Sequence, residues 1–316
     1  MEIILSILGG LGLFLYAVSS LSTILKDWLG DGTRKLIEKF VSNIFTAIFT
    51  GTVITILLDS SSAVIILTIV LVNAKVLTFR QAIGIVMGAN IGTTFSSQLI
   101  AFDIGKYSPI PIFLGLIFSF FSRNEDFSKG ARALLYFGIL FFGLYTMERS
   151  VEPLRNNEFF TRLMETLNNP LKGAGIGAFV TLVIQSSSAT VGIVITLAKK
   201  GLIELSGAIA VMIGAELGTC ADTLLATIRS NRQALKTGIF HLTFNIISIT
   251  VGLIVFPLFV KLVLIISGNS SLQQQVATSH ILFNVLGVIV FFPFIGLIEK
   301  LLNRLLPDKA EVAKAT

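Results

Sequence analysis

Charge is scarce in this sequence. Asp, Glu, Lys and Arg make up 13% of 316 residues, about half the share in an ordinary soluble domain. Hydrophobic residues make up 53%, more apolar surface than a soluble chain of this length could hide. Disorder, a secreted disulfide scaffold and a cytosolic enzyme are excluded. Cysteine occurs once, at Cys220, so no intramolecular disulfide can form and the redox compartment stays open. The two histidines stand on different segments, too sparse for a metal cluster. Walker A, dinucleotide-binding and Gly-x-Ser-x-Gly patterns are missing, which disfavours ATP-driven transport by this chain alone and serine hydrolysis. No basic start or small-residue cleavage site opens the chain, so residues 3–25 read as a first membrane helix rather than a signal peptide. The net charge of +6 sits in short connectors and makes no nucleic-acid face.

What is present is a series of apolar segments, at 3–25, 40–58, 63–74, 81–101, 108–122, 131–148, 172–184, 189–198, 203–228, 237–260 and 279–301. None alternates as barrel strands do, so the fold class is an all-α polytopic membrane protein. Residues 43–58 and 63–74 rise about 24 and 18 Å, short of a hydrocarbon core about 30 Å thick. Around the polar tip Asp59-Ser60-Ser61-Ser62 they suggest a re-entrant hairpin, and 172–198 repeat it around Gln185-Ser186-Ser187-Ser188.

The repeat is explicit. Gly51 and Gly177, Ser60 and Ser186, Gly88 and Gly214, Gly92 and Gly218, and Thr93 and Thr219 share one offset of 126 residues. Three crossings between the hairpins (81–101, 108–122 and 131–148) make the repeats inverted in topology. The first repeat is expected over 1–125, with hairpin 40–74 and a broken helix 81–101. The second spans 126–316, with hairpin 170–198, a broken helix 203–228 and C-terminal helices. Connectors on one side, including the tail after 299, hold 16 Lys and Arg against eight on the other. That side is expected to be cytoplasmic, with the C-terminus on it.

Each tip precedes a helix expected to begin at Ala63 or Ala189. Its unpaired N–H groups and dipole, with hydroxyls from Ser60, Ser61, Ser62, Ser186, Ser187 and Ser188, suit an oxyanion such as phosphate. The competing reading is helix capping. Paired glycines in Gly88-Ala89-Asn90-Ile91-Gly92-Thr93-Thr94 and Gly214-Ala215-Glu216-Leu217-Gly218-Thr219-Cys220 allow unwinding, with oxygen donors for Na⁺ from Asn90, Thr93, Thr94, Glu216 and Thr219. Close helix packing competes. Asp59, Glu216 and Asp222 are acids within apolar stretches, where an unpaired charge is costly, and cation coordination or proton coupling is favoured over a structural salt bridge. His241 and His280, in His-Leu-Thr-Phe-Asn and His-Ile-Leu-Phe-Asn, read as structural hydrogen-bonding groups.

The duplicated triple-serine hairpin followed by Gly-Ala-Asn-Ile-Gly-Thr-Thr resembles the type II Na⁺/phosphate cotransporters, over roughly 40–101 and 170–228. Gly12–Tyr16, Phe142–Tyr145 and the His-x-x-Phe-Asn segments add to the likeness. The resemblance implies a secondary active transporter, not an enzyme, that couples Na⁺ to uptake of inorganic phosphate by alternating access. It implies that Ser60–Ser62 and Ser186–Ser188 line the phosphate and Na⁺ sites, with Gln185 in the motif position and Ser61 and Ser187 toward Na⁺; Asp59 joins the Na⁺ ligands as an intramembrane acid. Na⁺ is the only metal expected, as coupling ion, with no cofactor. Phosphate, Na⁺ and the lipid bilayer are the partners, with a homodimer admitted, and the location is the cell membrane, multi-pass. Asp59 replaces the family's Gln and Glu216 its second-repeat Asn. Those departures keep open H⁺ coupling or another oxyanion such as sulfate or a dicarboxylate; an anion channel is the more distant alternative.

Overall fold

The computed structural model describes residues 2–29, 31–102, 104–122, 124–228 and 230–307, and among these no strand occurs. Arg123, Arg229, Lys309 and Lys314, which enter the charge count, lie outside the described residues. The chain opens with the long apolar α1, Glu2–Leu29, and the short amphipathic α2, Asp31–Phe40. Helices α3, Ile44–Leu58, and α4, Ser61–Asn73, meet at the first tip, and α5, Phe79–Ala101, follows. Then come α6, Pro109–Phe121, α7, Glu125–Val151, and α8, Glu158–Thr166. The second tip joins α9, Pro170–Ile184, to α10, Ser187–Lys199, with α11, Leu205–Gly218, and the short α12, Cys220–Leu225, behind it. Four helices close the chain: α13, Arg232–Ile254, α14, Phe256–Ser267, α15, Leu272–Phe291, and α16, Ile295–Leu305.

Local chemistry sets these boundaries twice over. Asn43 caps α3, accepting from the Phe45 and Thr46 N–H groups while the Thr46 hydroxyl accepts from Asn43 N–H. At the same offset, Asn169 caps α9 by accepting from Lys172 N–H, with Pro170 in the first turn. Each tip turns through a non-glycine residue in the left-handed region, Asp59 (φ 50°) and Gln185 (φ 59°).

The sequence reading expects α5 and α11 to be unwound at their glycines; the structure corrects this for α5 and keeps a one-residue break directly after Gly218. Helix α5 runs unbroken for 23 residues, and α11 gives way to α12 only at Thr219, whose backbone stays near helical (φ −68°, ψ −17°). The glycines serve close approach instead. A Cβ at Gly88 would lie 2.0 Å from the Ile48 carbonyl oxygen of α3, and one at Gly214 1.9 Å from that of Ala174 of α9. Gly51 against Ile85 and Gly177 against Val211 repeat the pattern at 2.4 and 2.0 Å. The α3–α5 and α9–α11 pairs therefore pack in one register, and at the break after Gly218 the Glu216 carbonyl accepts from Thr219 Oγ1 and Asn245 Nδ2.

Two main cores result. One gathers α3, α4 and α5 with parts of α13, α15 and α16; the other gathers α10 and α11 with α13, α14 and α15. A third, smaller core packs Phe14 and Ala17 of α1 and Leu140, Phe141 and Leu144 of α7 with Ala189 of α10. Outside, Phe45, Phe49, Phe120, Phe121 and Phe179 stand two-thirds or more exposed, a surface that suits lipid and not water. Five helical stretches are long and apolar enough to span a membrane: Glu2–Asp27, Glu125–Leu154, Leu205–Leu225, Arg232–Ile254 and Leu272–Leu305. A bent pair, Phe79–Ala101 with Gly105–Phe121, makes a sixth candidate. The chain is a multi-pass membrane protein.

Candidate functional site

Helices α4 and α10 begin at Ser61 and Ser187, two residues ahead of the sequence expectation, so the second and third serine of each triplet form the first helical turn. The leading serines are N-caps: Ser60 Oγ accepts from Ala63 N–H at 3.2 Å and Ser186 Oγ from Ala189 N–H at 3.1 Å. Capping thus accounts for two of the six hydroxyls. The N–H groups of Ser61, Ser62, Ser187 and Ser188 belong to the turn that has no intrahelical acceptor.

Both tips line one cavity of about 320 Å³. Asp59, Ser60, Ser61, Ser62, Gln185, Ser186, Ser187 and Ser188 all border it. Two helix N-termini, each with a positive dipole end, therefore converge on one space. Helix α1 supplies a polar stripe, Ser19, Ser22, Thr23 and Lys26, and Thr219 joins from the second unit. The Ser22 hydroxyl is buried with no hydrogen-bond partner among the described residues. Lys26 brings the cation that an anion in this cavity would meet, beside Asp59, to which Ser96 donates a hydrogen bond.

The α1 stripe escapes the sequence reading, which places Lys26 among the connector charges. Its signal is in the sequence all the same: positions 19, 22, 23 and 26 follow the spacing of one helical face.

The residues expected to hold Na⁺ divide. Asp59, Ser61, Ser187 and Thr219 border the cavity. Thr93 and Thr94 donate to carbonyls of their own helix, those of Ala89 and Ile91. Asp222 does not border the cavity, and its side chain makes no hydrogen bond among the described residues. Asn90 and Glu216 sit deeper, in a buried network across α5, α11, α13 and α15. Asn90 Nδ2 donates to Asn245 Oδ1 (2.7 Å), and Asn245 Nδ2 to the Glu216 carbonyl (3.0 Å). Glu216 Oε1 meets His280 Nε2 at 2.7 Å, with Asn284 Nδ2 3.4 Å away. The sequence reading disfavours a salt bridge at Glu216, and the structure gives it His280, 0% exposed, as a direct partner. The reason is a contact between α11 and α15 that spans 64 residues of sequence.

Both His-x-x-Phe-Asn segments serve this network crosswise. His280 Nδ1 lies 2.6 Å from Ser97 Oγ, and His241 Nδ1 lies 2.8 Å from Thr223 Oγ1, at repeat-equivalent positions. Asn245 of α13 then binds Asn90 of the first unit, while Asn284 of α15 reaches Glu216 of the second. Ser97, Thr223 and Asn245 are further functional candidates that sequence reasoning misses, because only the packing of α13 and α15 against α5, α11 and α12 brings them into line.

Comparison with known proteins agrees with this architecture. The sequence model of the family described as Na⁺/Pi-cotransporter matches twice, over residues 13–149 and 141–292. A Bacillus subtilis protein named "Uncharacterized protein YqeW" is 27% identical over 301 residues, covering 94% of this chain and 97% of its own. The Escherichia coli protein named "Putative inorganic phosphate export protein YjbB" is 25% identical over 312 residues, 98% of this chain and 57% of its own length. A segment of 91 residues, 27% of this chain, is 34% identical to "Sodium-dependent phosphate transport protein 2A" of Ovis aries and covers 14% of it. No solved structure matches the chain.

Proposed function

Because the chain belongs to the Na⁺/Pi-cotransporter family, we propose that it carries inorganic phosphate across the membrane by Na⁺-coupled symport with alternating access. The observation that carries this reading is the shared cavity: two triple-serine tips, two helix N-termini and Lys26 around one space. Phosphate accepts hydrogen bonds from the first-turn N–H groups of α4 and α10 and from Ser61, Ser62, Ser187 and Ser188. Ser60 and Ser186 hold those turns in place, Gln185 adds its amide, and Lys26 offsets the anion's charge. Na⁺ binds beside it, with Asp59, Ser61, Ser187 and Thr219 as oxygen donors. By neutralising Asp59 the cation raises phosphate affinity, and phosphate raises Na⁺ affinity by the same factor.

Asn90 and Glu216 act from behind, tying α5 and α11 to α13 and α15; Thr93, Thr94 and Asp222 have no direct part in this reading. Residues 1–125 and 126–316 are the two units, each with a re-entrant hairpin. They are inverted if α5, α6 and α7 make three crossings, and the cytoplasmic C-terminus follows from the same count with the positive charge. The name of one relative says export, so the direction of net flux belongs to the test. The test is labelled phosphate flux in proteoliposomes at fixed pH, with Na⁺ or choline on either side and sulfate or succinate as competitors. Flux that follows the Na⁺ gradient and resists both competitors is expected. Flux indifferent to Na⁺ would refute the coupling, absence of phosphate flux would refute phosphate as the substrate, and strong competition by either anion would refute selectivity for phosphate.

A further inference from the structure

A second cavity lies where α4 ends and α5 and α13 begin, flanked by α16. Its volume is about 960 Å³, three times that of the tip cavity. Lys75 and Arg80 reach it from the stretch that joins α4 to α5 and Arg232 from the start of α13, and Glu299 is the one acid on its wall among the described residues. Glu299 binds Arg80 at 2.6 Å. Lys75 and Arg232 have no carboxylate partner among the described residues, so the cavity keeps an excess of positive charge. Val72, Leu77, Phe79 and Leu235 give it an apolar side.

The repeat supplies an internal control. Lys75 stands at φ +60°, in the left-handed region, with its N–H on the Val72 carbonyl. Its counterpart 126 residues on is Gly201, at φ +63° with its N–H on the Ala198 carbonyl. Glycine is the unstrained residue for this backbone, and the first unit carries a lysine there instead. At the same end of the second unit, Lys199 and Lys200 are matched by Glu148 and Glu152, at 2.5 to 3.6 Å. One unit neutralises Lys199 and Lys200 within the chain; the other strains its backbone to add Lys75, which has no carboxylate match among the described residues. Asn73 of α4 also binds Asn231 of α13 through two hydrogen bonds, 2.7 and 2.9 Å, so the cavity sits across a joint between the units.

We propose that this cavity binds a phosphate-bearing anion with a carbon skeleton, at a site separate from the serine tips, and that occupancy fastens α4 and α5 to α13 and α16. Lys75 and Arg232 contact the phosphate group, Arg80 shares it with Glu299, and the apolar side takes the skeleton. An acidic phospholipid headgroup and a soluble phosphate ester both carry this chemistry.

The test compares wild type with Lys75→Gly, which restores the second unit's residue and relieves the backbone, and with Arg232→Gln. One arm measures thermal unfolding in phosphatidylcholine nanodiscs with and without phosphatidylglycerol. The other titrates adenosine monophosphate into phosphatidylcholine nanodiscs. Wild type should melt about 3 °C or more higher with the anion in one arm, and each variant should need about tenfold more anion for the same shift. A shift confined to the lipid arm assigns the headgroup, and one confined to the soluble arm assigns the ester. Lys75→Gly should melt no lower than wild type in phosphatidylcholine alone, which separates lost binding from lost folding. No shift in either arm, or equal shifts in wild type and both variants, overturns the site.

Discussion

The two halves of this molecule share a frame and differ in what they hang on it. Both have an Asn cap, a left-handed tip residue, a capping serine, and glycines in one register. Polar contents diverge at matched positions. The first tip carries Asp59, held by Ser96; the second carries Gln185, and the counterpart of Ser96 is Asp222, with no hydrogen bond between them. One unit thus puts its acid at the tip and the other puts it on the helix behind. Asn90 pairs with an amide, whereas Glu216 at the same place pairs with an imidazole. Backbone geometry tolerates few alternatives, so the frame is duplicated closely. Side chains that meet only one another are free to specialise, and under the proposed function an asymmetric pair of polar sets would let one cavity treat an anion and a cation differently.

The largest expected effect tests the frame. Gly88→Ala and Gly214→Ala each drive a Cβ into a backbone carbonyl that cannot yield. Both should lower stability by about 3 kcal/mol or more, read as thermal unfolding of purified protein in detergent. Near-wild-type melting of either would restore the unwinding role for that glycine.

Next in size are the serines, where position within the triplet should matter more than the unit. Ser61→Ala and Ser187→Ala should each cut phosphate flux about tenfold or more, the loss of a hydrogen bond to a charged group, with unchanged melting. Ser60→Ala and Ser186→Ala should instead cost about 1 kcal/mol of stability through the cap. A flux loss from only one unit would show that the two tips are not equal partners in the cavity.

The smallest effect repairs a difference. Thr181 donates to Thr190 at 2.8 Å, but its counterpart Thr55, 1% exposed, has no side-chain hydrogen-bond partner among the described residues, because Val64 replaces the second threonine. Val64→Thr should raise stability by about 1 kcal/mol, measured by chemical unfolding; a loss would mean that Thr55 does not face that position.

Much was readable in one dimension. Composition dictated a helical membrane chain, because lipid offers no partner for an unpaired backbone group. The 126-residue offset announced the duplication, and two clusters of three serines ahead of apolar runs announced helix starts. Other parts were legible only in outline: the spacing of Ser19, Ser22, Thr23 and Lys26 marks a helical face without saying what that face meets. Glycine pairs read equally as hinges or as contact points, since local sequence permits both. Only the tertiary structure decided between them, because the decision depends on whether another helix's carbonyls stand 2.0 Å from the missing Cβ. It also decided that Glu216 meets His280 and that both serine tips border one cavity with Lys26. Those are meetings of residues far apart in the chain, set by how helices pack, and no local spacing encodes them.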